Sequence, residues 1–352
     1  MKARNFELIN TRWIGDGHPC FIIAEIGQNH QGDIEIAKKL IKMAKDCGAD
    51  CVKFQKSDLH AKFTKSVLAR HYESPHAWGT TYGEHKTFLE FSEDQYKELM
   101  AFASSVNIYF TASAMDEVSL DFLVNLKVPF IKMGSGDANN FILLEKAAKT
   151  KLPIVYSTGM QDMQTVKTAM ERMNAFNPHV CILQCTSSYP TPVDQVHLRV
   201  MQSYRDHFPG SPVGYSGHEL GISITLAAAA LGAHVIERHI TLDKSLKGND
   251  HACSLDPSEL KSLVEGIRTI EQALGCAIKS KQPSEEPCHQ KLGKSVICTQ
   301  KLEAGVQLCS DHLTVKVGQP VGWSPQHLDQ LIGKTLSRNM DQDETITSDC
   351  II

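Results

Sequence analysis

Eight short apolar runs, separated by segments of helical character, constrain the fold of this 352-residue chain more than any other feature. The runs are FIIAEIG (21–27), DCVKFQ (50–55), IYFTAS (108–113), FIKMGSG (130–136), IVYSTG (154–159), CILQCTS (181–187), PVGYSG (212–217) and VIERHI (235–240). Near-continuous apolar runs are typical of strands that are buried on both faces of a parallel sheet. Eight similar strand–helix units predict an α/β fold, a (β/α)8 TIM barrel, with a doubly wound sheet as the alternative.

The chain also shows where this barrel ends. A helix over 257–275 is predicted to be the last of the barrel, so residues 1–280 form the first domain. The polar, proline-bearing segment 281–293 is predicted to be a linker. Residues 294–352 contain the short runs SVICTQ, LTVKVG and LIGKTLSR, which predict a small second domain of strands and turns.

Composition excludes several classes of function. The net charge is −4 and no long basic run occurs, so we expect no nucleic-acid partner and no anionic membrane surface as partner. The most apolar segment, 224–236, is too short to span a bilayer, and the N-terminus lacks the apolar stretch of a signal peptide. Eleven cysteines without zinc-finger spacing predict reduced thiols in a cytoplasmic protein.

Polar residues close every one of the eight runs. Because the carboxyl ends of barrel strands meet at one mouth, we expect these side chains to converge there. Those that end or directly follow the runs include Glu25, Lys53, Gln55, Thr111, Lys132, Ser135, Asp137, Ser157, Ser187, Tyr189, Ser216, His218, Glu237, Arg238 and His239.

The mixture of residue types at this mouth indicates a chemistry. Two lysines, several hydroxyls and glycine-flanked amides suit a phosphate dianion. His218 and His239 can chelate one divalent metal, and Glu25 can orient a sugar hydroxyl or move a proton. An enzyme that acts on a phosphorylated small molecule is predicted. Each feature also has a structural alternative: strand-end hydroxyls form turns or caps, paired histidines can be structural, and Asp250 can be a turn former.

Several longer motifs carry a resemblance to a known family. They are FIIAEIGQNHQGD, ADCVKFQKS, YGEHK, FTAS, KMGSGD, STGM, LQCTSSYP, GYSGHE, ERHITLDK and LGKSV, which follow one another over essentially the whole chain. In them the sequence resembles the sialic acid synthase family and, within it, the animal branch. The C-terminal part is similar to the antifreeze-like (SAF) domain that ends these enzymes.

The resemblance implies a reaction and a set of site residues. The animal branch condenses phosphoenolpyruvate (PEP) with N-acetylmannosamine 6-phosphate to N-acetylneuraminate 9-phosphate and phosphate, with C–O cleavage of PEP and a Mn or Mg ion. The implied metal ligands are His218 and His239. The implied PEP contacts are Lys53, Thr111, Lys132, Ser135, Ser157, Ser187 and Ser216. The implied sugar-side residues are Glu25, Gln55, Asp137, Tyr189, Asp250 and Lys316. The implied catalytic residues are Glu25, Lys53, Lys132 and Asp250.

Three positions depart from the bacterial members of this family. Ser187 and Asp137 stand where those members have Asn and Glu, and Lys316 with Val317 stands where they have an Arg that reaches into the partner's site. The resemblance implies a domain-swapped homodimer in which the small domain of one chain caps the barrel of the other.

Alternatives stay open at this point. The sugar could be unphosphorylated N-acetylmannosamine, and a Schiff-base aldolase using Lys53 or Lys132 is a second enzyme class. A non-catalytic ice-binding or interaction protein derived from a synthase is a third. A 6-phosphate needs a further cationic patch, and the insertion 56–91 offers candidates, although a solvated charged face would look the same. The candidates are Lys62, Lys65, Arg70, His85 and Lys86.

Overall fold

The computed structural model describes residues 4–352, which divide into one unit ending at Gly275 and a second, Cys276–Ile352. The first unit contains a closed barrel of eight parallel strands, in which each strand pairs with the next along the chain and the last pairs with the first. The (β/α)8 prediction is confirmed. The strands of this unit are β1 (Asn5–Ile9), β2 (Arg12–Gly15), β3 (Phe21–Gly27), β4 (Cys51–Lys56), β5 (Tyr109–Ala114), β6 (Ile131–Met133), β7 (Ile154–Ser157), β8 (Val180–Cys185), β9 (Val213–Gly217) and β10 (Val235–His239).

Helices surround the barrel and begin at recognisable caps. Asp33 accepts hydrogen bonds from two backbone N–H groups in the first turn of the first helix, and Ser92 and Gln95 form a capping box. The helices of the first unit are α1 (Ile34–Asp46), α2 (Leu59–Lys62), α3 (Lys65–Leu68), α4 (Tyr82–Leu89), α5 (Glu93–Ser105), α6 (Glu117–Asn125), α7 (Phe141–Lys149), α8 (Met163–Asn174), α9 (Val200–His207), α10 (Ser223–Ala230) and α11 (Pro257–Leu274).

Strand alternation divides the barrel interior into an apolar half and a polar half. Side chains two residues apart point to the same face of a strand. On β3, Phe21 and Ile23 belong to the apolar interior cluster, and Glu25 follows them on the same face. On β10, Val235 belongs to that cluster and Glu237 follows it. The polar interior positions therefore lie at the carboxyl end of the strands.

A hairpin of β1 and β2 packs against the apolar half of the interior. Phe6, Leu8, Ile9 and Ile14 are buried in the same cluster as the inward-facing residues of the barrel strands. This hairpin covers the amino end of the barrel, so the opposite, polar end is the one that can admit a ligand. The sequence analysis did not predict this element.

The second unit has a core of its own. Antiparallel strands β11 (Lys294–Cys298) and β12 (Leu313–Val317) contribute Val296, Cys298 and Leu313 to it. Helix α12 (Glu286–Leu292) lies in the segment predicted to be a linker. In the run LIGKTLSR, only Thr335 and Leu336 make isolated bridges, because Gly333 has a positive φ of 87° that interrupts extended backbone.

Two further observations concern the described residues 4–352 as a whole. None of their helices combines the length and the apolar character needed to cross a membrane. All eleven cysteines lie within this range and are unpaired.

A buried histidine beside the barrel mouth predicts acid sensitivity. His30 stacks on Phe91 with ring centroids 4.1 Å apart, and burial lowers the pKa of His30 to about 3. In the unfolded chain the imidazole of His30 takes up a proton near pH 6.5, whereas in the folded chain it stays neutral to a much lower pH. The free energy of unfolding is therefore highest above pH 6.5 and falls as the pH is lowered below that value. Between pH 7 and 5, the free energy of unfolding of the wild type should fall relative to His30→Gln by about 2 kcal/mol. A difference that stays constant with pH in urea titrations would contradict this.

Candidate active site

A cavity of about 280 Å³ opens at the carboxyl end of the barrel strands. It brings together most of the residues that the sequence predicted. Those that line it are Glu25, Lys53, Gln55, Lys132, Ser135, Asp137, Ser157, Ser187, Tyr189, Ser216, His218 and His239. Residues more than 200 positions apart in the chain thus share one cavity.

The strand register explains this convergence. On β3, Glu25 is opposite Lys53 of β4 on one side and His239 of β10 on the other. On β9, Ser216 is opposite Glu237 of β10. Neighbouring strands therefore present these predicted residues side by side at the carboxyl end of the barrel interior.

Four buried charges form the floor of this cavity. Lys53 Nζ lies 2.7 Å from Glu25 Oε2 and 3.9 Å from Glu237 Oε2, and Lys132 Nζ lies 3.4 Å from Glu237 Oε1. None of the four side chains is more than 8% exposed. Two cations alternate with two carboxylates, which offsets the cost of burying each charge.

Hydrogen bonds from neutral groups complete this floor. Lys53 donates to Ser113 Oγ at 2.9 Å, and Lys132 donates to Ser157 Oγ at 2.8 Å. Gln55 Nε2 donates to Glu25 Oε1 at 3.0 Å. The ammonium groups are thus held in place by partners on neighbouring strands before any ligand arrives.

The charged groups of the floor differ in how firmly they hold a proton. Burial raises the pKa of Glu25 although Lys53 opposes this, whereas Lys132 and Lys53 outweigh burial and lower the pKa of Glu237. Burial alone would lower the pKa of Lys53, but Glu237 and Glu25 raise it above its ordinary value. Glu237 therefore acts as a fixed negative charge, and Glu25 is the carboxylate better suited to exchange a proton.

Glu237 is the residue of the floor that the sequence analysis did not select as a site residue. Its Oε1 accepts a hydrogen bond from Ser216 Oγ at 3.0 Å, and it is the carboxylate that lies near both lysines. The signal was present in the chain, because Glu237 stands two residues before His239 and so shares its strand face.

Arg238, between these two, faces the opposite way. Its guanidinium lies 2.8 Å from Glu219 Oε1, and both side chains are 1% exposed. Tyr215 donates to the other oxygen of Glu219 at 2.7 Å. The expectation that every polar residue of VIERHI reaches the mouth is wrong for Arg238, because strand alternation turns it outward, where it links the GHE turn to β10.

The hydroxyl groups of Ser135 and Ser187 line the same cavity and are called its hydroxyl rim. Ser135 Oγ accepts a hydrogen bond from the Gly159 N–H at 3.0 Å. A Cβ at position 159 would lie 2.2 Å from Ser187 Oγ and 2.7 Å from Ser135 Oγ. The lack of a side chain at Gly159 lets the chain approach these two hydroxyls closely, and the hydroxyls of Ser135 and Ser187 face the cavity.

The two histidines that were predicted to bind a metal, His218 and His239, lie next to each other. The rings of His218 and His239 have centroids 5.4 Å apart, and the Tyr189 ring lies 4.2 Å from that of His218. His218 Nδ1 donates to the Thr186 carbonyl at 3.0 Å, which leaves Nε2 as its acceptor atom. His239 Nδ1 is buried and has no hydrogen-bond partner among residues 4–352. Burial and the neighbouring His218 hold the pKa of His239 well below its usual range, so the ring is neutral.

Three predicted residues lie outside this cavity. Thr111 is fully buried and donates to the Phe130 carbonyl at 2.9 Å, and Ser113, two residues later, lines the cavity instead. Asp250 lines an adjoining cavity, with Oδ2 3.9 Å from His239 Nδ1. Lys316 belongs to the second unit, where it pairs with Asp343.

Comparison with known proteins identifies the family. The profile described as the NeuB family matches residues 40–279. The chain is a member of the NeuB family. Among curated NeuB-like relatives, it is 54% identical over 345 residues to the N-acetylneuraminate-9-phosphate synthase of Homo sapiens, covering 98% of this chain and 96% of that protein. It is 49% identical to the enzyme of the same name from Drosophila melanogaster, covering 94% of this chain and 96% of that one.

A solved structure resembles this NeuB-family chain as well. The N-acetylneuraminic acid (sialic acid) synthetase from Leptospira borgpetersenii serovar Hardjo-bovis is 31% identical with a TM-score of 0.72, over 82% of this chain and 96% of that chain. The resemblance to the sialic acid synthase family stated from the motifs is confirmed.

Proposed function

We propose that this chain condenses PEP with N-acetylmannosamine 6-phosphate to give N-acetylneuraminate 9-phosphate and phosphate. The observation that carries the proposal is the buried floor of alternating lysines and carboxylates beside the two neighbouring histidines, His218 and His239. The human and Drosophila relatives are N-acetylneuraminate-9-phosphate synthases, which supports the same reaction, and the 54% and 49% identities extend over nearly the whole chain.

In this proposal the floor and the rim bind PEP. Lys53 and Lys132 offset the charges of its carboxylate and phosphate, and Lys132 stabilises the phosphate as it leaves. Hydroxyl groups of the cavity contact the same oxygens. The hydroxyls assigned to PEP are those of Ser135, Ser157, Ser187 and Ser216. Thr111 supports the floor from one layer below.

The bond changes follow from the products. PEP C3 bonds to C1 of the open-chain sugar, and the aldehyde oxygen becomes a hydroxyl by taking one proton. Water adds to C2 and loses one proton. The C2–O bond to phosphate then breaks as the new C2 hydroxyl loses its proton to become the ketone, and inorganic phosphate leaves with the bridging oxygen and takes up a proton. Glu25, whose pKa burial raises, is assigned to proton exchange, with Gln55 holding its carboxylate. Asp137, Tyr189 and Asp250 are assigned to the sugar hydroxyls.

The histidine pair fits a divalent metal. His218 Nε2 and His239 Nδ1 are the ring nitrogens that could bind Mn²⁺ or Mg²⁺ here. Among the described residues, the buried His239 Nδ1 has no hydrogen-bond partner. Among the described residues no third His, Cys, Asp or Glu is placed to complete a cluster, so water and substrate oxygens would fill the remaining positions. When bound, the ion would polarise the sugar aldehyde as a Lewis acid.

The arrangement argues against a Schiff-base aldolase. That chemistry needs a neutral, desolvated amine. Lys53 is instead held charged by Glu237 and Glu25. Burial lowers the pKa of Lys132, but Glu237, 3.4 Å from its Nζ, opposes this and favours the charged form. Borohydride treatment in the presence of substrate is therefore expected to leave the chain unmodified.

We assign the second unit to an antifreeze-like cap of a domain-swapped homodimer in the cytoplasm. Lys316 of one chain would then meet the sugar at the partner's barrel, in a cap that excludes water. The unpaired cysteines support a reducing compartment.

Deleting residues 290–352 tests this cap. We expect the KM for the sugar to rise about tenfold or more, or activity to be lost, because the sugar loses a positioning contact. Steady-state kinetics with PEP saturating measures this, and circular dichroism controls for an intact barrel. Full activity of the shortened chain would contradict the cap.

A phosphate-release assay tests the proposed reaction. PEP and Mn²⁺ are present throughout, and the acceptor is N-acetylmannosamine or its 6-phosphate, with and without EDTA. The proposal predicts EDTA-sensitive release that is faster with the 6-phosphate. Release with only the unphosphorylated sugar would assign the alternative substrate, and no release with either sugar would overturn the proposal.

A further inference from the structure

A second cavity adjoins the floor and the histidine pair. Its volume is about 230 Å³, and it shares Gln55, Met115 and Tyr189 with the first cavity. Lys86 and Asp250 line the second cavity but not the first. A substrate longer than PEP can therefore extend from the first cavity into the second.

Two lysines that line these cavities, Lys62 in the first and Lys86 in the second, have no carboxylate partner among the described residues. Lys86 Nζ donates to the neutral amide oxygen of Gln28 at 2.9 Å, and the polar neighbour of Lys62 Nζ is the thioether sulfur of Met115 at 2.8 Å. Within the described residues, no carboxylate oxygen comes within 4.0 Å of either ammonium group. By contrast, Lys56 in the same insertion lies 2.6 Å from Glu90. Two half-buried cations without an anion favour the binding of a dianion.

The pKa shifts of Lys86 and Lys62 also favour the binding of an anion between them. Burial, reinforced by the nearby Lys62 charge, lowers the pKa of Lys86 to about 8. Burial also lowers the pKa of Lys62, although Asp137, Asp116 and Glu90 oppose this from a distance. An arriving phosphate would relieve the repulsion between the two ammonium groups and restore their pKa values.

The position of the pair matches one end of an extended sugar. Asp250 lies between the histidine pair and Lys86, since its Oδ2 is 3.9 Å from His239 Nδ1 and it lines the same cavity as Lys86. An open-chain sugar with C1 at the histidine pair would direct C6 toward this cavity. We propose that Lys86 and Lys62 bind the 6-phosphate of the sugar acceptor, an inference that rests on the proposed function.

The other cations of the insertion do not take part. Arg70 lies over the Tyr82 ring at 5.3 Å and is exposed, and Lys65 is exposed and lines neither cavity. His85 is buried against Trp78, and burial lowers its pKa to about 4, so it is neutral. The structure thus selects two of the five candidates in the insertion.

Lys86→Gln and Lys62→Gln test the assignment, with Lys65→Gln as the matched control. With PEP saturating, each variant is assayed with N-acetylmannosamine 6-phosphate and with N-acetylmannosamine. Because a charge-assisted contact is lost, kcat/KM for the phosphorylated sugar should fall about 10- to 100-fold. The value for the unphosphorylated sugar and the KM for PEP should change less than about twofold. Lys65→Gln should match the wild type with both sugars.

The outcomes separate this inference from the proposed function. If Lys86→Gln and Lys62→Gln both keep the wild-type activity on the 6-phosphate, the proposed phosphate subsite is overturned, whereas the proposed condensation reaction stands. Equal losses with both sugars would also overturn the subsite, since they indicate a structural role. If the wild type turns over neither sugar, the proposed function fails, and calorimetry with the 6-phosphate then decides the subsite: weaker binding by Lys86→Gln supports it, and equal binding overturns it.

Discussion

His239→Ala is expected to lower kcat about 1,000-fold and to abolish tight Mn²⁺ binding. His239 has a buried ring nitrogen without a partner, and its low pKa keeps the ring neutral, which is the form that binds metals. A Lewis acid at a developing alkoxide contributes several kcal/mol, and about 4 kcal/mol corresponds to this factor. Calorimetric titration with Mn²⁺ and steady-state kinetics measure the two effects.

The exposed His207 on α9 offers a matched control. His207→Ala should keep the wild-type kcat and Mn²⁺ affinity. The account fails at this point if His239→Ala binds Mn²⁺ as the wild type does. It also fails if His239→Ala loses activity while EDTA leaves the wild type unaffected.

Lys132→Met is expected to reduce kcat/KM for PEP about 100- to 1,000-fold. The change removes the cation 3.4 Å from Glu237 and leaves that carboxylate facing the incoming anion. Removing one group that stabilises a developing anion costs about 2.7–4 kcal/mol, which corresponds to this range. Binding of PEP, measured by calorimetry without the sugar, should weaken to a similar extent.

A double variant separates binding from folding. Lys132→Met with Glu237→Gln removes both charges, so the thermal stability should recover most of what Lys132→Met loses. The affinity for PEP should not recover, because the cation is still missing. Lys56→Met, which breaks the Lys56–Glu90 pair outside both cavities, is the control and should leave PEP binding unchanged. Recovery of PEP binding in the double variant would show that Lys132 acts only by stabilising the barrel.

The eight barrel strands could be predicted from the sequence because each is buried on both faces. Seven of the eight predicted runs end within two residues of the observed strand, and FIKMGSG, predicted to 136, ends as a strand at Met133 because a turn of 3-10 helix begins at Ser135. The convergence of polar residues followed from barrel geometry, since every carboxyl strand end meets the same mouth.

Side-chain direction could be predicted only in part. Glu237 and Arg238 are neighbours in the chain, and alternation along β10 alone decides that Glu237 joins the floor while Arg238 pairs with Glu219. Thr111 and Ser113 share a strand face, yet only Ser113 is high enough on β5 to line the cavity. Depth along a strand depends on the register with its neighbours, which a single sequence does not display.

The insertion between β4 and α5 was the least predictable part. Lys65 and Lys86 look alike in the sequence, but only Lys86 lies in a cavity. Its environment depends on Gln28 after β3 and Asp250 after β10, which are more than 200 residues apart. The hairpin β1–β2 was missed because its apolar residues are interspersed with polar ones and form no continuous run.

Isotope labelling of PEP tests the proposed reaction most directly. PEP carrying ¹⁸O in the oxygen that bridges C2 and phosphorus is incubated with the chain, Mn²⁺ and N-acetylmannosamine 6-phosphate, and both products are analysed by mass spectrometry. Our account predicts ¹⁸O in the released phosphate and an unlabelled nine-carbon sugar acid that retains its own phosphate. Label kept in the sugar acid would mean P–O cleavage and would contradict the account, as would the absence of any condensation product.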